Sequence, residues 1–303
     1  MSAITSANLA NAIVKLVAVD ALPALSGHLV MGNLVNRDFE PTFAQAGDTV
    51  NVPIPPTMVA NNLLEGGSVQ TQNPDVQNAQ IVLNTHAEAT FQIPDVTKVI
   101  AVPDLLRLYM QPAMIALAEK VEGDLLATYS QFTANTPLGT GGTALTESVI
   151  DSAETALFNA KVPASEQKFL VVDGSGYSQL RQIPRFSEYQ TAGDAGLRAI
   201  VDGSIGRIKD FFVFRSQFVK KTGTGPTTVN NLAFSKNAIG LAIRRMSKPL
   251  QGTGAITEYA EYGNIGMRVT MSYQPATLAQ QFTVDILYGV GVLRNNFGVQ
   301  VRS

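Results

Sequence analysis

Polar and apolar residues alternate in two runs in the first third of the chain, on either side of a long polar stretch. The first run is TVNVPI, from Thr49 to Ile54, and the second extends from about Asn78 to Thr90. Because side chains alternate between the two faces of a strand, the runs predict a long β-hairpin over residues 46–95. The amide-rich stretch between them is longer than ordinary hairpin loops and cannot bury a core of its own. We therefore expect a limb covered by neighbouring molecules or, in an enzyme, an active-site lid.

The segment before the hairpin, residues 1–45, has little core pattern. A short helix is predicted from Ser6 to about Val19, and prolines and glycines interrupt the path that follows it. We expect an arm that lies along another surface. A partly disordered tail is the alternative.

After the hairpin, the apolar spacing becomes that of a helix. One side of this helix carries the apolar residues Met114, Leu117, Ala118, Val121, Leu125 and Tyr129. The charged residues occupy the other side: Glu119, Lys120, Glu122 and Asp124. Pro112 suits the first helical position, where no N–H is needed, so the helix is predicted from Pro112 to about Phe132, roughly 30 Å long. A shorter helical turn is predicted before it, from Asp104 to Tyr109.

A mixed lobe is predicted after this helix. Thr146 is a suitable N-cap for a helix that ends near Pro163, and the apolar run FLVV at 169–172 predicts a buried strand. Another helix is predicted within Phe234 to Arg245, in KNAIGLAIRR. Two C-terminal strands are predicted from alternating apolar residues, at Met267, Val269, Met271 and Tyr273 and at Phe282, Val284, Ile286 and Tyr288.

Together these elements predict an α+β fold with two interleaved lobes, and not a regular βαβ succession. The long helix and the C-terminal strands form one lobe, and the segment between them is inserted as the other. The predicted division is an arm at 1–45, a limb at 46–98, the long helix at 99–145, the inserted lobe at 146–255 and the final strands at 256–303.

Composition narrows the functional classes. Only 15% of the 303 residues are charged, fewer than in an ordinary soluble monomer, which suits a subunit that hides surface against copies of itself. The net charge of −2 excludes a polycation that holds nucleic acid by neutralising phosphates. The absence of cysteine excludes disulfides, thiolate metal sites and cysteine catalysis. We see no secretory signal and no run of about 18 apolar residues that would cross a membrane.

Neither histidine stands in a catalytic or metal-binding pattern. His28 lies in the arm and His86 in the returning strand, and no HExxH occurs, so both are expected at a surface or an interface. No carboxylate pair indicates general acid and base work.

Two glycine-rich turns resemble phosphate loops only superficially. The turn at 173–176 follows a strand and opens a helix but fits neither GxxxxGK[ST] nor GxSxG, so Asp173 or Ser175 is expected to cap the helix. The run KKTGTGPTT has no helix after it and predicts a hairpin turn. We expect no catalytic, cofactor-binding or metal-binding residues.

The order of elements resembles the HK97-type fold of tailed-phage major capsid proteins, whose parts are the N-arm, the E-loop, the P-domain with its spine helix, and the A-domain. Local sequence is similar to the P22 coat protein family, in AGDTVNVPIP, QPAMIALAEKVEGDLLATY, IVDGSIGRIKDFFVFRS and VDILYGVGVLRNNFGVQV. That family's coat protein carries an extra inserted domain, and this chain has only the short KKTGTGPTTVNN turn there.

The resemblance implies a coat protein that forms pentamers and hexamers and closes into an icosahedral head around double-stranded DNA. Implied partners are other copies of the chain, a scaffolding protein, a portal, a decoration protein and DNA held by non-specific contact, with no cofactor and no membrane. It implies a place in the virion after assembly in the cytoplasm of a bacterial host.

Polar residues in arm, loop or hinge segments are the expected intersubunit contacts: Arg37, Glu65, Arg107, Arg181, Arg185 and Asp194. Two alternatives remain at this point. One is an encapsulin-like nanocompartment shell of the same fold, and the other is a cytosolic α+β enzyme that uses the turn at 174–176.

Overall fold

The structure, a computed structural model, describes residues 30–39, 49–56, 58–63, 65–73, 77–95, 102–183, 206–224, 227–244, 246–249, 254–262 and 265–303. Within these ranges only the backbone is described at 102–107, 260–262 and 265. The predicted helix from Ser6 to Val19 and His28 lie outside the described residues.

Two antiparallel strands form the limb, as the alternating pattern predicts. β1 (Thr49–Ile54) pairs with β2 (Gln77–Val82), with Val50 opposite Ile81. The apolar residues of both strands therefore share one face. Residues 55–73, which we call the tip, contain no strand or helix in their described part.

The prediction of one returning strand that reaches Thr90 is wrong. The strand stops at Val82, and β3 (Thr85–Pro94) leaves the limb to enter another sheet. Both strands have one buried face, so the apolar alternation continues through Leu83 into β3. A pattern of this kind cannot reveal that the pairing partner changes.

Five antiparallel strands form the first sheet. The strand β12 (Ala279–Val292) lies at its centre, pairing with β3 along one edge and with two strands in succession along the other. Besides β3 the strands are β9 (Ile239–Arg244), β10 (Ile256–Tyr262), β11 (Ile265–Gln274) and β12 (Ala279–Val292). The two predicted C-terminal strands are thus confirmed in β11 and β12.

A long helix covers one face of this sheet. After the short α1 (Met31–Leu34) comes α2 (Val102–Ala127), whose 26 residues span about 39 Å. The predicted start at Pro112 is wrong, because the helix runs through it and absorbs the turn predicted before it. Met110 and Met114, buried on either side of Pro112, pack both halves of the helix against the sheet, which offsets the hydrogen bond that proline cannot donate.

The second sheet has six strands. The chain segment that supplies most of these strands also contains two helices, α3 (Glu147–Asn159) and α4 (Gly174–Gln182). Its pairing is antiparallel except between β4 and β6. The strands are β4 (Lys168–Val172), β5 (Arg207–Ile208), β6 (Phe211–Arg215), β7 (Lys221–Thr222), β8 (Thr228–Ser235) and β13 (Gly298–Arg302). The predicted strand FLVV and helix after Thr146 are confirmed, as is the hairpin between β7 and β8.

The helix predicted within Phe234 to Arg245 is wrong. β8 ends at Ser235, a 3-10 turn follows, and β9 begins at Ile239. Residues on both faces of these strands are buried, so the apolar run has no period that would separate a strand from a helix.

A single apolar core connects α1, α2 and both sheets, and a smaller core lies under the limb. No helix in the described part of the chain is long and apolar enough to cross a membrane.

Candidate assembly surface

The root of the limb crosses strand β12 at two glycines. A β-carbon on Gly291 would lie 2.6 Å from the carbonyl oxygen of Gln80, and one on Gly289 would overlap the carbonyl oxygen of Val82. Side chains at these positions would hold the two backbones apart. The sequence YGVGV therefore creates a flat seat on which β2 lies.

The smaller apolar core packs the limb root against this seat. Ala79, Ile81 and Leu83 of the limb pack with three residues of the body, Ala242, Leu287 and Leu293. The subunit's own body thus covers the limb root. The expectation that neighbouring molecules cover the limb applies only to the tip.

The tip exposes apolar side chains to solvent. Met58, Val59, Leu63 and Val69 are each more than half exposed, with Val69 at 78%. The side-chain amide of Gln72 hydrogen-bonds to both backbone polar groups of Val59, which holds the two sides of the tip together. Apolar groups gathered at the end of a slender limb are typical of a contact surface.

Further exposed apolar side chains lie at the end of the first sheet where β12 begins. Leu108 and Tyr109 of α2 are exposed there, and Tyr109 lies 5.7 Å from the ring of Phe91. Tyr273 donates a hydrogen bond to Asp95 at 2.9 Å, and the backbone of Asp95 bonds to that of Leu278. The side chains of Tyr273 and Leu278 are exposed beside this contact.

Charged residues are paired within the sheet face that α2 does not cover. Asp285, which is buried, accepts two hydrogen bonds from the Arg268 guanidinium at 2.9 and 2.6 Å and approaches His86 Nε2 at 2.7 Å. The three residues lie on the adjacent strands β12, β11 and β3, so the cluster ties these strands together across the sheet. No group of three or more His, Asp or Glu side chains that could hold a metal ion occurs in the described part.

The glycine turn at 173–176 is a helix cap, as predicted. Asp173 accepts hydrogen bonds from the Gly176 amide at 2.7 Å and from the Ser175 hydroxyl, and Lys221 Nζ lies 3.3 Å from its carboxylate. Burial acts to raise the pKa of Asp173, but these hydrogen bonds and the Lys221 charge outweigh burial and lower the pKa below its ordinary 3.8. The arrangement stabilises the start of α4.

Substituting Asp173 by alanine should lower the free energy of unfolding by about 1 kcal/mol at pH 7, because the cap is lost. The lowered pKa means that the carboxylate contributes fully at neutral pH and loses its contribution as the pH falls below 3.8. Denaturant unfolding of both proteins at pH 7 and pH 3 measures the difference. Asp173→Asn is the matched control, since asparagine also caps helices but carries no charge; a loss equal to that of alanine would contradict the capping role.

The predicted contact residues lie in separate elements. Arg37 is half-buried after α1, Glu65 is exposed in the tip, and Arg181 is exposed in the last turn of α4. Arg107 lies in α2 where only the backbone is described, and Arg185 and Asp194 lie outside the described residues. The glycine seat was not predicted, although glycines inside a strand pattern are a known sign of close backbone approach.

Comparison with known proteins gives one family. Residues 89–299 match the family model described as phage capsid protein. No curated protein sequence matches.

Solved structures of phage capsids share the fold. A chain from Mycobacterium phage Che8 is 18% identical, with a TM-score of 0.64 and 90% of each chain covered. A chain from the capsid of cyanophage P-SCSP1u is 17% identical, with a TM-score of 0.58, covering 85% of this chain and 84% of that one. A chain from the capsid of Ralstonia phage GP4 is 13% identical, with a TM-score of 0.58, covering 88% and 86%.

The family match covers more than half of the chain, and the shared fold covers most of it. These findings support the HK97-like α+β fold and favour neither the nanocompartment shell nor the enzyme. The chain belongs to the phage capsid protein family: it is a major capsid protein, a structural component of the virion that assembles with copies of itself.

Proposed function

We propose that this subunit forms pentamers and hexamers that close into an icosahedral head around double-stranded DNA, and that the limb tip is the surface by which each copy grips a neighbour. The observation that carries the proposal is the exposure of Met58, Val59, Leu63 and Val69 on a two-stranded limb. A two-stranded hairpin is marginally stable alone in water, and burying its apolar side chains against another copy would stabilise both.

The distribution of polar groups on the tip fits such a contact. Glu65 and the amides Asn61, Asn62 and Gln70 are exposed and lie between the apolar residues along the chain. Interfaces commonly have an apolar centre with a polar rim, and the rim supplies pairing partners that fix orientation. We propose that Glu65 and Arg37 contribute such pairs, together with Arg107, Arg181, Arg185 and Asp194.

Further partners follow from the same function. We propose that the scaffolding protein and portal guide closure in the cytoplasm of the bacterial host, and that a decoration protein can add to the finished shell. With a net charge of −2, the subunit would contain DNA by closing around it and make only non-specific contacts with it.

Assembly should fail when the apolar tip is charged. The double substitution Val59→Asp and Val69→Asp should leave the subunit folded, since both side chains are largely exposed, and should shift the sedimenting material from shells to free subunits or capsomers. Circular dichroism checks folding, and sedimentation with negative-stain microscopy measures assembly.

The control is Val69→Ile, which changes one of the same exposed positions and keeps it apolar. Shells are expected from it in nearly normal yield. Normal shells from the double variant would refute the proposed role of the tip.

A further inference from the structure

A buried carboxyl group joins three separate segments of the subunit. Glu122 of α2 is fully buried. Its Oε2 accepts a hydrogen bond from the backbone N–H of Met31 at 2.8 Å, and its Oε1 accepts one from the hydroxyl of Ser216 at 3.0 Å. Met31 and Ser216 are 91 and 94 residues away in sequence, so this single side chain fixes α1, α2 and the loop after β6 to one another.

The contact with Met31 replaces a helix cap. The first N–H groups of a helix have no partner within it, and Val30, at the N-cap position of α1, provides no capping side chain. Glu122 supplies the missing acceptor from a different element. Release of Glu122 would leave a buried donor unsatisfied, so α1 depends on this group for its position.

The charged groups around Glu122 do not neutralise it. Residues 30–35, which contain α1, carry no ionisable side chain. On the loop after β6, Lys220 directs its Nζ to the neighbouring Gly123, 3.4 Å from where a β-carbon there would lie. In the described structure Glu122 forms no ion pair.

The other nearby charges on α2 are already engaged. Lys120 and Asp124 pair with each other at 2.7 Å, and Tyr288 of β12 donates a hydrogen bond to Asp124 at 2.5 Å. Glu119, one turn earlier, is half-buried. An ionised Glu122 would therefore be a buried charge held only by two neutral donors.

Protonation removes this cost and keeps both contacts. Burial raises the pKa of Glu122 to about 7, and the hydrogen bonds from Met31 and Ser216 lower it by less. A protonated carboxyl can donate its O–H to the Ser216 oxygen while the other oxygen still accepts from Met31. The neutral form thus keeps both contacts without a buried charge.

We propose that Glu122 is a proton-controlled latch for the N-terminal segment: the neutral side chain holds α1 on α2 and on the loop after β6, and ionisation loosens α1. The latch acts within a single subunit and goes beyond shell formation. It therefore does not depend on the proposed role of the tip. Its consequence is that the attachment of α1 weakens as the pH rises from about 4.5 to about 7.

Hydrogen exchange of the full-length subunit tests the latch. Protection of backbone amides in residues 30–36, corrected for intrinsic exchange, should fall by about tenfold for each pH unit between 4.5, the ordinary pKa of glutamate, and about 7 in the wild type, and should level off above pH 7. Glu122→Gln should remain protected with no pH dependence between pH 4.5 and pH 7, since glutamine can accept from Met31 and donate to Ser216. Glu119→Gln, the same change one turn away, should keep the wild-type profile.

Two results would overturn the latch. One is wild-type protection that does not change between pH 4.5 and pH 7, and this result decides the matter even where a variant fails to fold. The other is a Glu122→Gln profile with the same pH dependence as the wild type.

Discussion

Glu122→Gln should raise the free energy of unfolding by about 3 kcal/mol at pH 8 and leave it nearly unchanged at pH 4. The folded subunit raises the pKa of Glu122 from 4.5 to about 7, so it binds this proton more tightly than the unfolded chain does. The stabilisation from the bound proton is complete below pH 4.5 and is lost as the pH rises through 7, at about 1.4 kcal/mol for each pH unit between the two pKa values. Glutamine has the same shape and no charge to bury.

Urea denaturation of unassembled subunits between pH 4 and pH 8 measures this difference. Glu119→Gln provides the control, because it removes a carboxylate from a half-buried position of the same helix. A difference between wild type and Glu122→Gln that stays constant across the pH range would show that burial of charge is not the cause.

Gly289→Ala should lower the free energy of unfolding by about 3 kcal/mol and displace the limb. The added methyl group would overlap the Val82 carbonyl oxygen and approach the Leu83 α-carbon at 3.2 Å, and both belong to backbone that cannot rotate away. Forcing atoms into a packed core costs roughly 1–3 kcal/mol, and here the seat of β2 is also lost. We therefore expect faster proteolysis within the limb as well as lower stability.

Gly174→Ala is the matched control for this substitution. A β-carbon at Gly174 meets no atom within 4 Å, and alanine is a better helix former at the start of α4. Its stability should equal or slightly exceed that of the wild type. A Gly289→Ala subunit as stable as the wild type would mean that the limb does not rest on β12.

Elements with a clear period were predicted from the sequence. β1 alternates, and β4 is a short apolar run between polar residues. α3 begins after Thr146 as predicted, although the Thr146 side chain makes no capping hydrogen bond. The polar composition of residues 55–73 also predicted a loop, and their described part contains no strand or helix. In each of these cases local sequence and tertiary environment favour the same structure.

The errors arise where burial removes the period or where the pairing partner changes. The segment from Phe234 to Arg244 is buried on nearly every side, so strand and helix cannot be told apart. The alternation through β2 and β3 is continuous although their partners differ. Pro112 was placed at a helix start by its local preference, and packing around it overrode that preference.

The polar clusters could not be predicted because their members are distant in sequence. His86 and Asp285 are 199 residues apart, and Met31 and Glu122 are 91 apart. Glu122 lies among charged residues that the helical pattern assigns to the outer side of α2. Strand register brings His86 to Asp285, and the packing of α1 on α2 brings Met31 to Glu122.

The central strand β12 makes the chain intolerant of length changes between 279 and 292. Its first half pairs with β3 and β11, and its second half pairs with β9 and seats the limb. Adding or deleting one residue near Asp285 would invert one half relative to the other and turn Tyr288 or Val290 toward the seat. In a library of single-residue insertions and deletions, viable particles should therefore carry changes in exposed loops such as 163–165 and none at 283–291.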